Sequence, residues 1–532
     1  MESTWRVFGP EHPRVSNALD HLGVLLQSTA RYAEAETSFK QALAIHEKVA
    51  PADELTLAAY LVHLGTNYRL QSRFAEAEPL LQRALSIRET RLKPNDPTLG
   101  DSLFNLGALY RWQRRYAEAE PLVRRSLEIR EAALGPENRN VLADMQSLAL
   151  SLDGLGRYIE AESLFRRVLA SREKGLGPDH FEVADTLVSL VWVLRRQGRF
   201  AEAAEIAERP LAIYVKALGP EHPSVVTGLL PLATIHQERA EFVEAERLFR
   251  RALAIRQAVF GADHTKVADS YADLARLSLA QRQFEEAAGY ATKALEINEK
   301  WFGADSVQIV PSLVGVAAHR TIVGETKPAE TLLKRALAIC ERSLGPDAVA
   351  VADILSGISD IYRMQRRYGD AQNYYERPLA IYRKALGPRH PAVASSLDRL
   401  AQLYIGLGRA QDALKLYEEA QALLVSALGE NSPALAGILN NRALLLLQLN
   451  QTAEAESLFN RAIESLRSGA RSETPALATA LNNLAILQQQ RGRQKEAEQL
   501  RKQATAINRK IFGDNHVPVI PAAQLPVWTQ DL

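Results

Sequence analysis

The chain has 532 residues, 64 Lys plus Arg against 63 Asp plus Glu, a formal charge of +1, and one cysteine, Cys340. That balance gives no global attraction to nucleic acid or to an anionic membrane, and a lone cysteine excludes an intramolecular disulfide. No run of about 18 apolar residues occurs, and Met1 to Phe8 lacks the apolar core of a signal peptide. A cytoplasmic, nearly all-helical chain is the expectation.

Val7-Phe8-Gly9-Pro10-Glu11-His12 reads like Val259-Phe260-Gly261-Ala262-Asp263-His264, so residues 1–8 are expected to be the end of a preceding partial repeat. The pattern is plainest at Asn105 to Asn138. Leu103, Leu106, Gly107 and Tyr110 form one apolar stripe at helical spacing. Arg114-Arg115-Tyr116 breaks it, and Ala119, Leu122, Val123, Ser126, Ile129 and Ala133 form a second. Small residues at Gly107, Ala119 and Ser126 let two helices approach closely, and Gly135-Pro136 ends the second. Stepping by 42 from Gly9 lands on Gly135, Gly177, Gly219, Gly261, Gly303, Gly345, Gly387, Gly429 and Gly513, missing at Pro51, Lys93 and Arg471. Twelve units of that period therefore occupy 9–512 without insertion or deletion. First helices are expected near Pro13 and second helices near Tyr32, each recurring once per period.

Pro at the start of several first helices (Pro13, Pro223, Pro391, Pro433) suits a position whose N–H is unpaired anyway. Pro210, Pro231, Pro311 and Pro378 fall inside helical patterns, so kinks are expected there and the middle of the array should be its least regular part. Residues 513–532 read as a Pro-rich tail, extended or disordered.

Leu103, Leu106, Gly107, Tyr110, Ala119, Val123 and Ser126 occupy the seats of the tetratricopeptide pattern, as do Leu19, Leu22, Gly23, Leu26, Ala35, Phe39 and Ala42. The 42-residue period, the Tyr-Ala-Glu-Ala-Glu box and the Leu-Gly-Pro-Glu-His-Pro turn resemble the kinesin light chain variety of that family. The resemblance implies an all-α fold, an alpha-alpha solenoid coiled as a right-handed superhelix of twelve helical hairpins. It also implies that the first helices line a concave, peptide-holding groove. The Lys and Asn clamp of carboxylate-binding co-chaperone relatives is missing from the first helices.

No phosphate loop, GxSxG, HExxH, paired CxxC or GxGxxG is present, so an enzyme, a cofactor and a metal are not expected. His12, His180, His222, His264, His390 and His516 share one seat, but neighbouring units lie about 10 Å apart, too far to share a zinc, so helix capping is the expectation. The Ala-Glu-Ala-Glu boxes put carboxylates in the first turn of each second helix, where they favour its dipole.

What remains is a surface. Asp101, Asn105, Ala108 and Trp112 lie opposite the Leu/Tyr stripe of their helix, as do Asp185, Ser189, Trp192 and Arg196 of theirs. Trp112 and Trp192 with Arg69, Arg111, Arg195 and Arg196 have the composition of a binding hot spot; the plainer alternative is that Arg complements a helix C-terminus and Trp covers a neighbouring unit. Asn440-Asn441 and Asn482-Asn483 match the family's Asn-Asn box, whose groove asparagines bond a peptide backbone; this adds Asn440 and Asn482 to the candidates, with Asn105 on the third unit. The reading is a non-catalytic protein-protein interaction scaffold that binds extended, acidic segments with an apolar anchor through the N-terminal half, with neither nucleic acid nor membrane as partner. The alternative is a sensor or autoinhibitory arm of a larger bacterial signalling protein whose effector lies outside this chain.

Overall fold

A computed structural model describes residues 9, 11–430, 432–468 and 474–512. The expectations for residues 1–8, the tail 513–532 and His516 lie outside the described residues. Every described secondary-structure element is helical, and the chain is an alpha-alpha solenoid. Twelve second helices begin at residue 32 and at every 42nd position after it, from Tyr32–Val49 through Tyr116–Leu134 to Gln494–Phe512. The first helices alternate with them, from Pro13–Ser28 through Pro97–Trp112 to Pro475–Gln490.

The first three hairpins close around a glycine seat. A Cβ added to Gly107 would lie 2.5 Å from Val123 Cγ2, and one added to Gly65 would lie 2.8 Å from Leu81 Cγ. Gly23 faces Phe39 in the same way. Phe39, Leu81 and Val123 are wholly buried, each contributing about 1.5–3 kcal/mol. The second stripe of the third repeat is corrected in part. Ala133 is exposed, whereas Leu127 and Arg130 are buried.

The turn between paired helices has one conformation throughout. Positions 30, 72, 114 and every 42nd residue to 492 have positive φ, from +53° at Ala240 to +87° at Gly324. Five of these twelve residues are glycine; Ala30, Ser72, Arg114, Ala240, Arg282, Arg366 and Asn450 hold the same left-handed geometry at a steric cost. The exit glycines, Gly135 among them (φ 82°, ψ 158°), occupy a region that is essentially glycine-only.

Most first helices start on side-chain caps; those beginning at Val225, Val310, Val349 and Leu435 do not. Asp53, Asp96 and Asn138 accept from backbone N–H groups two or three residues on. The shared histidines do the same. Nδ1 of His12, His180, His222, His264 and His390 accepts from the N–H two residues later, at 3.0–3.2 Å.

Proline disturbs the array less than its chemistry suggests. Phe200–Leu218 runs unbroken with Pro210 inside it, as do Val225–Glu238 with Pro231 and Tyr368–Ala385 with Pro378. Pro311 is near the start of its helix, after a 3-10 turn at Val307–Ile309. Pro223 and Pro433 precede their helices by two residues. There i→i+3 bonds, such as Val226 N to Pro223 O at 3.1 Å, tighten the opening turn. The irregular starts are thus in the sixth, eighth and eleventh repeats.

By their contacts the described residues fall into two compact bodies, one of 9–155 with 163–168, the other of 156–162 with 169–512. Within the second, the turn at Gly156 packs on the ring of Pro391, and Gly198 approaches Pro433. Each contact joins turns of repeats that are distant along the chain.

Candidate functional site

In the first body, Arg69 and Arg111 sit in the last turns of Glu54–Leu70 and Pro97–Trp112, one repeat apart and partly buried. Burial, and then the charge of Arg111, lowers the pKa of Arg69; burial lowers that of Arg111. Neither guanidinium meets a carboxylate among the described residues, and the Nε of each lacks a hydrogen-bond partner there. Arg111 lies 5.7 Å from the centre of the Trp112 indole, and Trp112 is 57% exposed. Two partly dehydrated like charges raise each other's energy, and an anion placed against both relieves it. Asn105 lies on the same helix as Trp112, but its side chain is engaged: Nδ2 donates to Asp101 O at 2.7 Å, and Oδ1 accepts from Thr66 Oγ1 at 3.2 Å. Ala108, expected on the open face, is buried, because first helices of successive repeats also pack on one another.

The second body holds the remaining candidates. Trp192 is half-buried beneath the Arg195 guanidinium, 5.5 Å from the ring centre. Arg195 is not an open cation. Its Nε donates to Glu238 of the following repeat at 2.7 Å, and both side chains are 22% exposed. A carboxylate placed at position 195 would face Glu238. Arg196 is exposed. Asn440 Oδ1 accepts from Asn483 at 2.8 Å, and Asn441 donates to Asp398 at 2.9 Å. Asn482 is partly buried. The asparagine boxes thus tie first helices of successive repeats together.

Two recurrent features escaped the apolar-stripe reading. One is the arginine before each of several second helices. Arg73 bonds Glu76 of its own helix and Glu36 of the preceding repeat, and stacks 4.3 Å from the Tyr68 ring centre. Arg115 repeats this with Glu118, Glu78 and Tyr110, and Arg199 pairs with Glu202 and Glu162. The other is a buried polar seat late in the second helix. Arg88, Arg130 and Arg256 occupy it, reaching Ser102, Asp144 and Ser270 of the next first helix. Tyr214, Asn298 and Tyr382 take the same seat. A polar side chain recurring once per period on a helix's inner face was the available signal.

No helix among the described residues is long and apolar enough to cross a membrane. No curated protein matches the chain. Similar solved structures include a putative kinesin light chain with nearly identical TPR-like repeats from Podosopora anserina, 25% identical (TM-score 0.36; 39% of this chain, 99% of that one). Another is BtubC (BKLC) from P. vanneervenii, 23% identical (TM-score 0.37; 45% and 96%). A third is aspartyl phosphate phosphatase F from Bacillus subtilis, 16% identical (TM-score 0.43; 81% and 98%). The tetratricopeptide repeat model matches residues 3–48, 55–132, 98–174, 142–216, 224–300, 309–384, 373–424, 393–468 and 435–510. With hairpins of fixed period beneath nearly its whole length, the chain belongs to the tetratricopeptide repeat family, whose fold is typically that of a non-catalytic protein-interaction scaffold.

Proposed function

We propose that this chain binds extended acidic peptide segments carrying one bulky apolar anchor, on the first-helix face of its N-terminal repeats. The observation that carries the reading is the Arg69–Arg111 pair. These are two partly buried guanidiniums one repeat apart, with no carboxylate partner among the described residues, beside the exposed indole of Trp112. Arg binds carboxylates through a planar fork, and an exposed Trp offers a large apolar contact at low conformational cost. Arg195, held by Glu238, supplies less to this reading than Arg69 and Arg111 do.

The test is fluorescence anisotropy with a labelled peptide of alternating Glu and Gly around one Trp, at low and high salt. Affinity should fall with salt, because exposed charges are screened within about 8–10 Å. Arg69→Gln with Arg111→Gln should weaken binding at least about tenfold without lowering the melting temperature, since the two charges repel. Unchanged affinity in this variant and in Trp112→Ala would refute the assignment. A lowered melting temperature would mean that the arginines hold the fold rather than a ligand.

A further inference from the structure

A second feature of the first body concerns the buried polar seat rather than the exposed arginines. Arg88 is 6% exposed; its Nη1 donates to Thr98 O at 2.9 Å and to Ser102 Oγ at 3.0 Å, and its Nε has no partner among the described residues. No carboxylate lies in ion-pair contact with it there. One repeat later the equivalent Arg130 has two, Asp101 and Asp144, the latter at 2.8 Å. The difference is in the seats. The position of Asp101 is Ala59 in the second repeat, and that of Asp144 is Ser102. Of the other acidic residues in that first seat, Asp185 is bonded by Tyr214 and Asp353 by Tyr382 at 2.5 Å, whereas Asp269 pairs with Lys266.

Truncating an aspartate to an alanine leaves space, and the space is there. A cavity of about 250 Å³ is lined by both Ala59 and Arg88. His63, Thr66, Asp101 and Asn105 form other parts of its wall. His63 is held through Nδ1 by Asp20 at 2.8 Å, and Thr66 is bonded to Asn105. Asp101 lowers the local potential, but its carboxylate is already engaged by Arg130. The buried Arg88 guanidinium feels the charges of Asp101 and Asp96 only without contact; burial without a contacting carboxylate is costly, and a cavity beside it admits a group that would lower that cost.

We propose that this cavity is a carboxylate-binding subsite, in which a ligand carboxylate bonds Arg88 from the place an aspartate side chain occupies in the third repeat. The carboxylate belongs either to a small free acid or to an acidic side chain of a bound peptide. The site does not depend on the Arg69–Arg111 reading, and its test separates the two.

The experiment is titration calorimetry of the full chain with glutarate and, separately, with the Glu/Gly/Trp peptide. Wild type, Ala59→Asp, Arg88→Gln and Arg69→Gln/Arg111→Gln are compared. Ala59→Asp should raise the melting temperature, because it supplies the missing carboxylate, and should weaken binding at least about tenfold by filling the cavity. Arg88→Gln should weaken binding likewise. Arg69→Gln/Arg111→Gln should leave glutarate binding unchanged. Binding of glutarate with this pattern identifies a free acid as sufficient; the same Ala59 and Arg88 dependence for the peptide alone identifies a side chain. The proposal is overturned if Ala59→Asp lowers the melting temperature, or if neither probe shows binding that Ala59→Asp removes.

Discussion

Gly156 offers a way to ask whether the contact between turns distant along the chain exists in solution. It occupies the left-handed turn seat at φ +72°, and an added Cβ would lie 2.5 Å from Pro391 Cδ and 3.2 Å from His390 Cδ2. Gly408 has nearly the same φ, +75°, with nothing within 4 Å of the added atom. Alanine at either position carries the left-handed penalty of about 1–2 kcal/mol. Only at Gly156 must something also move, and the obstacle is a proline ring fixed to its own backbone at the first position of Pro391–Gly406. Overpacking of this kind costs about 1–3 kcal/mol more. Gly156→Ala should therefore cost about 2–5 kcal/mol in all, and Gly408→Ala about 1–2. Melting followed by circular dichroism compares the two variants, and Pro391→Ala in the Gly156→Ala background should recover most of the difference, as a double-mutant cycle for touching residues requires. Equal melting shifts for the two glycine variants, with no recovery, would show that the Gly156 turn does not rest on Pro391.

Other expectations follow from single residues. Ala240→Gly, at φ +53°, should stabilise the sixth repeat by about 0.5–1 kcal/mol, relief of strain being partly offset by a more flexible unfolded chain; thermal melts check this. Burial would raise the pKa of Glu36, but hydrogen bonds from Lys40 and Arg73 and their charges outweigh it and hold the group down to about 2. Its contribution is thus present in full above the ordinary value of 4.5 and lost as pH falls from there through about 2, at most about 3 kcal/mol; Glu36→Gln should flatten the dependence of melting temperature on pH in that window. Arg195→Glu should lower the melting temperature by setting two carboxylates together, and adding Glu238→Arg should restore it.

The period, the two helices of each repeat and the starts of all second helices were legible in the residues, because they arise from short-range chemistry. Apolar spacing, glycine opposite a large side chain and a turn needing positive φ all act within one hairpin. Even so, the turn geometry was readable only where Gly156, Gly198, Gly324, Gly408 or Gly492 announces it. At Ala30 or Arg114 the packing of the flanking helices imposes the same conformation on residues that disfavour it. Of the candidate site, the exposure of Trp112 is what a one-helix projection gives. The burial of Ala108 and the capture of Arg195 by Glu238 do not, since each involves a side chain of a neighbouring repeat. The same reason hid Arg88. Its environment is decided by Ala59 on the first helix of its own repeat and by Ser102 on that of the next, and a pattern read along one helix does not show which side chains meet across the seam. Local chemistry in the sequence determined that the chain builds twelve hairpins. Packing between repeats decided which of their charged groups are neutralised and which, among the described residues, are not, because that depends on the reach and partners of side chains from different helices.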